Sequence, residues 1–217
     1  MKRLCSLLVT LPLAACSTDG FELPSFSSVT SLFDPTQPET QALSQPIETV
    51  SRPDFGQSDS MTVTSLTDGS AKTFSVSPYG DGVRVRQSDG CVWTRSGDWF
   101  SPSDSWANCG DSRNWHTAQA QVRELDSLYP LQIGSTGRYQ RSAVSHSGRS
   151  YTRETRCEVT DAVEVLRSGQ AATPAYVVEC DDTRRLRTTW YAPGEGPIAY
   201  RERHFRNGVE EAWVRVD

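Results

Sequence analysis

The chain has no apolar run approaching the roughly 20 residues that a membrane-spanning helix needs, and only 36% of its 217 residues are hydrophobic. That excludes a helical integral membrane protein. Lysine is nearly missing: 20 of the 22 basic residues are Arg, and Lys72 is the only Lys beyond Lys2. There is no basic excess either. The formal net charge is −5, so nucleic acid, which selects basic surfaces, is not an expected partner. No C-x₂-C pair occurs, and the three histidines, His116, His146 and His204, stand at no metal-ligand spacing. No metal or other cofactor is therefore expected. A G-x-S-x-G elbow and a phosphate-binding glycine loop are both absent, which leaves a hydrolase as the least favoured reading. Ser145-His146-Ser147-Gly148 reads as a polar hairpin turn, and Glu210-Glu211 and Asp181-Asp182 read as solvated turn acids.

What charge there is lies unevenly. Residues 1–15 carry +2, residues 17–60 carry −6, and residues 61–217 carry −1. The acidic stretch contains Pro24, Pro35, Pro38, Pro46 and Pro53 among many Ser and Thr. Such a composition cannot bury enough apolar surface to fold alone, so 16–60 is expected to be a disordered tether. Phe21, Phe26, Phe33 and Phe55 are unusual for a spacer and read as candidates for a short docking element. The excess of Arg suits bidentate binding of carboxylate or phosphate, although coding bias alone would also produce it.

Lys2-Arg3 followed by the apolar run Leu4 to Ala15 has the n-region and h-region of a secretory signal. The run ends in Leu13-Ala14-Ala15-Cys16, which resembles the lipobox of bacterial lipoproteins. The resemblance implies cleavage after Ala15 and a covalent lipid on Cys16 as the membrane anchor. Ser17-Thr18 follow where such lipoproteins would carry Asp for inner-membrane retention. An outer-membrane, periplasm-facing location is therefore expected.

From Met61 onward, short alternating runs are separated by turns such as Asp68-Gly69, Gly80-Asp81-Gly82 and Asp89-Gly90. Eight or more strands over this length predict a mainly all-β domain at 61–217, an antiparallel meander forming a half-barrel or sandwich. It divides naturally into sub-units 61–128 and 129–217. The segment 114–126 has weak periodicity and is expected to be a short helix or irregular connection. Export implies oxidising surroundings, so Cys91, Cys109, Cys157 and Cys180 should form disulfides. Of the three connectivities, Cys91–Cys109 and Cys157–Cys180 are favoured because each pair brackets a local strand–turn unit. Each bridge should contribute about 3 kcal/mol by loop closure.

Tyr129-Pro130-Leu131-Gln132-Ile133-Gly134, Arg156-Cys157-Glu158-Val159 and the hairpin Thr189-Trp190-Tyr191-Ala192-Pro193-Gly194-Glu195-Gly196-Pro197 together resemble a recurrent β-domain of proteobacterial exported proteins. The resemblance spans about 129–205. It implies a periplasmic half-barrel without an established activity.

The least ordinary feature is aromatic. Trp93, Trp99, Trp106 and Trp115 crowd around Cys91–Cys109, with Arg95, Asn108 and Arg113 as nearby hydrogen-bond donors. Trp faces stack on sugars and peptides, but they also fill small cores. The functional expectation is a non-catalytic, membrane-anchored envelope lipoprotein that binds or scaffolds a protein partner. The alternative is a glycan- or peptidoglycan-binding module using Trp93, Trp99, Trp106, Trp115 and Arg95.

Overall fold

The computed structural model describes residues 34–53, 58–109 and 114–217. Among these residues there is no helix, and thirteen strands follow one another in the chain. β1 (Thr40–Ala42) stands apart from a meander of β2 (Asp59–Ser65), β3 (Ala71–Tyr79), β4 (Gly82–Gln87), β5 (Val92–Arg95) and β6 (Ser105–Ala107). The meander continues through β7 (Ala118–Asp126), β8 (Thr136–Ser145), β9 (Ser150–Val165) and β10 (Thr173–Asp181). It ends in β11 (Arg185–Ala192), β12 (Gly196–His204) and β13 (Gly208–Arg215).

Each strand from β2 to β13 pairs antiparallel with the next, and β13 returns to β2 through Trp213↔Ser65, Val214↔Thr64 and Arg215↔Val63. The result is a closed twelve-stranded barrel, which corrects the expected half-barrel or sandwich. An open sheet and a closed ring present the same alternation of one apolar face. Only the pairing of two strands at opposite ends of the meander distinguishes them. Both expected sub-units contribute to the one ring.

Alternation places Val63, Phe74, Val83, Val85, Tyr139, Cys157, Val159, Tyr176, Val178, Cys180 and Trp213 in the lumen, all buried. Arg84, Arg86, Gln119, Gln121, Arg123, Arg156 and Glu158 alternate with them and are exposed outside. This polarity is the reverse of a lipid-embedded barrel, whose outer band is apolar. Cys157 and Cys180 face each other across β9 and β10 and are bridged, as are Cys91 and Cys109.

The region 114–126 contains β7 rather than a helix. Its inward residues, Ala118, Ala120 and Val122, are small, so the alternation is faint, and its pairing with β8 determines the structure. The next strand, β8, begins only at Thr136. Gly137 explains the layout there, since a Cβ on it would lie 2.8 Å from the backbone nitrogen of Leu128. The missing side chain lets the 127–135 loop fold over the barrel end, where Leu128 and Leu131 are almost fully buried.

Residues 34–53, expected to belong to the disordered tether, lie against the barrel. Asp34 pairs with Arg201 on β12, and β1 pairs with the last residues of β9. Glu164 accepts hydrogen bonds from the Ser44 amide (2.9 Å), the Ser44 hydroxyl and Gln41 Nε2 (2.6 Å). Val50 bridges to Leu131. From Asp34 to Thr40 the chain runs across the outside of β10–β12, where Val165, Ala175, Trp190, Ala192, Ile198 and Ala199 form a second apolar cluster. Cys16, Phe21, Phe26, Phe33, Phe55 and Arg113 lie outside the described residues.

Candidate functional site

A ring of eight strands is just filled by its own side chains, and a ring of twelve encloses more. One end of this lumen is closed by chain. The β5–β6 connection turns inward around Asp98, which is fully buried. Its carboxylate accepts hydrogen bonds from the amides of Phe100 (2.8 Å) and Ser101 (2.5 Å) and from the Tyr139 hydroxyl (2.7 Å). Trp99 and Phe100 are thereby driven into the lumen. Trp99 meets Trp93 edge-on at 6.2 Å, and Phe100 packs on Tyr129 and Tyr191. The exposed carbonyls of this plug are also met: Arg95 donates to Trp99 O, and Arg187 Nη2 to Phe100 O at 3.4 Å. Burial, and then Asp98, push the Tyr139 phenol far above its usual range. Trp99 is thus an interior part of the plugged end with Trp93 and Arg95 against it, and the half-buried Trp93 is also the direct register partner of Trp106.

The other end is built differently. Trp106, on the inward face of β6, stacks on Trp115 at 6.5 Å, and its indole N–H donates to Trp115 O at 2.5 Å. Trp115 in turn touches Tyr151 of β9 at 4.8 Å. The three rings are only partly buried. The Arg141 guanidinium lies 5.4 Å from the Trp106 ring and 5.4 Å from that of Tyr151, and the Arg153 guanidinium lies 4.7 Å from the Tyr151 ring. Sequence reasoning found Trp106 and Trp115 but missed Tyr151, Arg141 and Arg153. A signal for them existed: Tyr151 and Arg153 share the alternation phase of Cys157, a charged residue on an apolar face.

No known protein family, curated protein or solved structure matches the chain. The site must be read from its own chemistry.

Asp182 sits at the centre of this end and is buried, correcting its reading as a solvated turn acid. Its Oδ2 is 3.3 Å from Arg153 and 3.8 Å from Arg141, and its Oδ1 accepts from the amides of Arg184 (3.0 Å) and Arg185 (2.9 Å). Burial alone would raise its pKa; those amides and the guanidiniums of Arg153 and Arg187 hold it below the usual carboxylate range. For Arg141, burial and then the neighbouring charges of Arg187 and Arg153 push the pKa down.

Beside Arg187, β12 and β13 present Glu202 and Glu211, Glu202 being the direct register partner of both Arg187 and Glu211. Glu202 accepts from Tyr200 Oη (2.7 Å) and pairs with Arg185 (3.0 Å), which also holds Glu210 at 2.7 Å. Glu211 is not a solvated turn acid either: burial, then Glu202, pushes its carboxyl up to about 7.

At the rim, His116 and His146 approach to 4.4 Å between ring centroids, and Ser145 through Gly148 form the β8–β9 turn. Among the described residues no cluster of three or more His, Cys, Asp or Glu side chains is arranged to hold a metal.

Proposed function

We propose that the chain is a non-catalytic binding module of the bacterial envelope, anchored by lipid on Cys16 to the periplasmic face of the outer membrane. Support comes from the lipobox Leu13-Ala14-Ala15-Cys16, from two disulfides suited to an oxidising compartment, and from a barrel wall that is polar outside. The ligand surface is the aromatic end of the lumen. Between a protein partner and a cell-wall glycan, the observation that carries the choice is the partly exposed cluster of Trp106, Trp115 and Tyr151 flanked by Arg141 and Arg153. Flat rings beside fixed hydrogen-bond donors are what a sugar ring requires.

Sedimentation with purified peptidoglycan tests this reading. The lipidated protein should co-sediment, and Trp115→Ala should release it while leaving the near-ultraviolet circular dichroism of the plug intact. Equal retention of the variant, or no retention of the parent, would refute the glycan assignment. Loss of palmitate labelling and of membrane association in Cys16→Ser tests the anchor separately.

A further inference from the structure

Arg141 and Arg153 gather around a single buried carboxylate, with the charge of Arg187 also felt there. Asp182 offers them one free oxygen, because its other oxygen is taken by two backbone amides. One oxygen cannot fill two guanidinium forks, each built to grip a carboxylate through two parallel N–H groups. Arg141 Nε is buried and has no hydrogen-bond partner among the described residues. The other carboxylates facing the lumen here, Glu202 on β12 and Glu211 on β13, serve Arg187, whose direct register partner is Glu202, rather than Arg141 and Arg153. Arg185 is paired with Glu202 there, and Lys72 and Arg95 exert their charge on Glu211. The cationic excess is therefore localised on Arg141 of β8 and Arg153 of β9, beside the aromatic rings. A neutral sugar would use the rings and leave the forks unmatched.

Building on the glycan reading above, we infer that the saccharide bound at this end is acidic, with its carboxylate received by Arg141 and Arg153 while its ring stacks on Trp115 and Tyr151. The geometry also explains why arginine rather than an apolar side chain fills this part of the lumen: each guanidinium lies over a ring that holds its plane.

Titrating the full-length lipidated protein in detergent, followed by tryptophan fluorescence, tests the assignment. Hexa-galacturonate, chitohexaose and inorganic phosphate serve as the three probes. The acidic oligomer should bind about ten-fold more tightly than the neutral one, the scale of one charge-assisted contact, and salt should narrow the gap. Arg153→Gln should abolish the preference by weakening the acidic oligomer more than chitohexaose, Arg153→Lys should retain part of it, and Trp115→Ala should weaken both oligomers. Equal affinity for the two oligomers, or an unaltered preference in Arg153→Gln, overturns the inference but not the glycan reading. Phosphate binding as tightly as the acidic oligomer overturns the saccharide assignment in favour of a simple anion site. If no probe binds, the inference and the glycan reading fall together.

Discussion

The two ends of the lumen solve the same problem in opposite ways. A twelve-stranded ring leaves more interior than aliphatic side chains fill. At one end the gap is closed by backbone, with Asp98 drawing Trp99 and Phe100 inward. Its carboxylate and the Trp99 and Phe100 carbonyls are all partnered, while Arg95 Nε and Tyr129 Oη are buried without a hydrogen-bond partner among the described residues. At the other, long guanidinium side chains and partly exposed rings fill the space around one carboxylate, and the donors outnumber the acceptors. The first end is built for stability. The second keeps hydrogen-bonding capacity in reserve, which stability alone would not select.

The comparison breaks most directly at Asp98. In Asp98→Ala the Tyr139 hydroxyl and two buried amides lose their acceptor, which should cost about 3–5 kcal/mol and lower the melting temperature by many degrees. Arg153→Gln at the other end leaves Asp182 its two amides and Arg141 and should cost less, about 1–2 kcal/mol. If thermal denaturation gives the two variants similar losses, the ends do not differ in the way described.

The disulfides sharpen the contrast by position. Cys157–Cys180 lies within the packed lumen, whereas Cys91–Cys109 ties the β4–β5 turn to the β6–β7 loop beside the aromatic cluster. Loop closure predicts about 3 kcal/mol for each, so the double Ser variants should unfold at similarly reduced denaturant concentrations. Only Cys91→Ser/Cys109→Ser should also alter the fluorescence of Trp106 and Trp115. A spectral change of equal size in Cys157→Ser/Cys180→Ser would contradict this placement.

How much of this could be read in the sequence follows from the range of the interactions. Strands with clear alternation, such as Gly82–Gln87, were legible because each residue reports its own face. Closure of the ring was not, since it rests on Trp213 meeting Ser65 across most of the chain. β7 was missed because Ala118 and Ala120 are too small to produce a hydrophobic rhythm. The docked segment around β1 was missed because Thr40, Gln41 and Ala42 carry no strand signature; a carboxylate on a distant strand, Glu164, holds it. At the site, a Trp-rich segment drew notice, but half its tryptophans belong to the plug. Asp182 and Glu211 looked like turn acids because a sequence does not show which turns fold back over a lumen.

Glu211 probes the acidic pair on β12 and β13, next to Arg187. Its folded pKa of about 7 lies above its unfolded value near 4.5. Protonation is therefore favoured by folding, and this contribution is complete below about pH 4.5 and lost as pH rises through 7. Glu211→Gln removes the penalty and should stabilise the protein by about 1–3 kcal/mol at pH 8, with no gain at pH 4. Chemical denaturation at the two pH values checks the sign. Equal effects at both would place the penalty on another group.

The smallest effect concerns the strap, which distinguishes the covered part of the barrel wall from the bare remainder. Hydrogen bonds from Ser44 and Gln41 hold the Glu164 carboxyl below its ordinary range. Its contribution to docking is thus present above the ordinary carboxylate pKa and lost as pH falls through the depressed value. Glu164→Gln keeps the shape but removes the charge that receives three donors, so β1 should open locally while the ring stays closed. Hydrogen exchange should quicken for the Gln41 to Ser44 amides and remain slow for β10 and β11. If exchange accelerated throughout the barrel, the strap would be part of the cooperative core rather than a segment laid upon it.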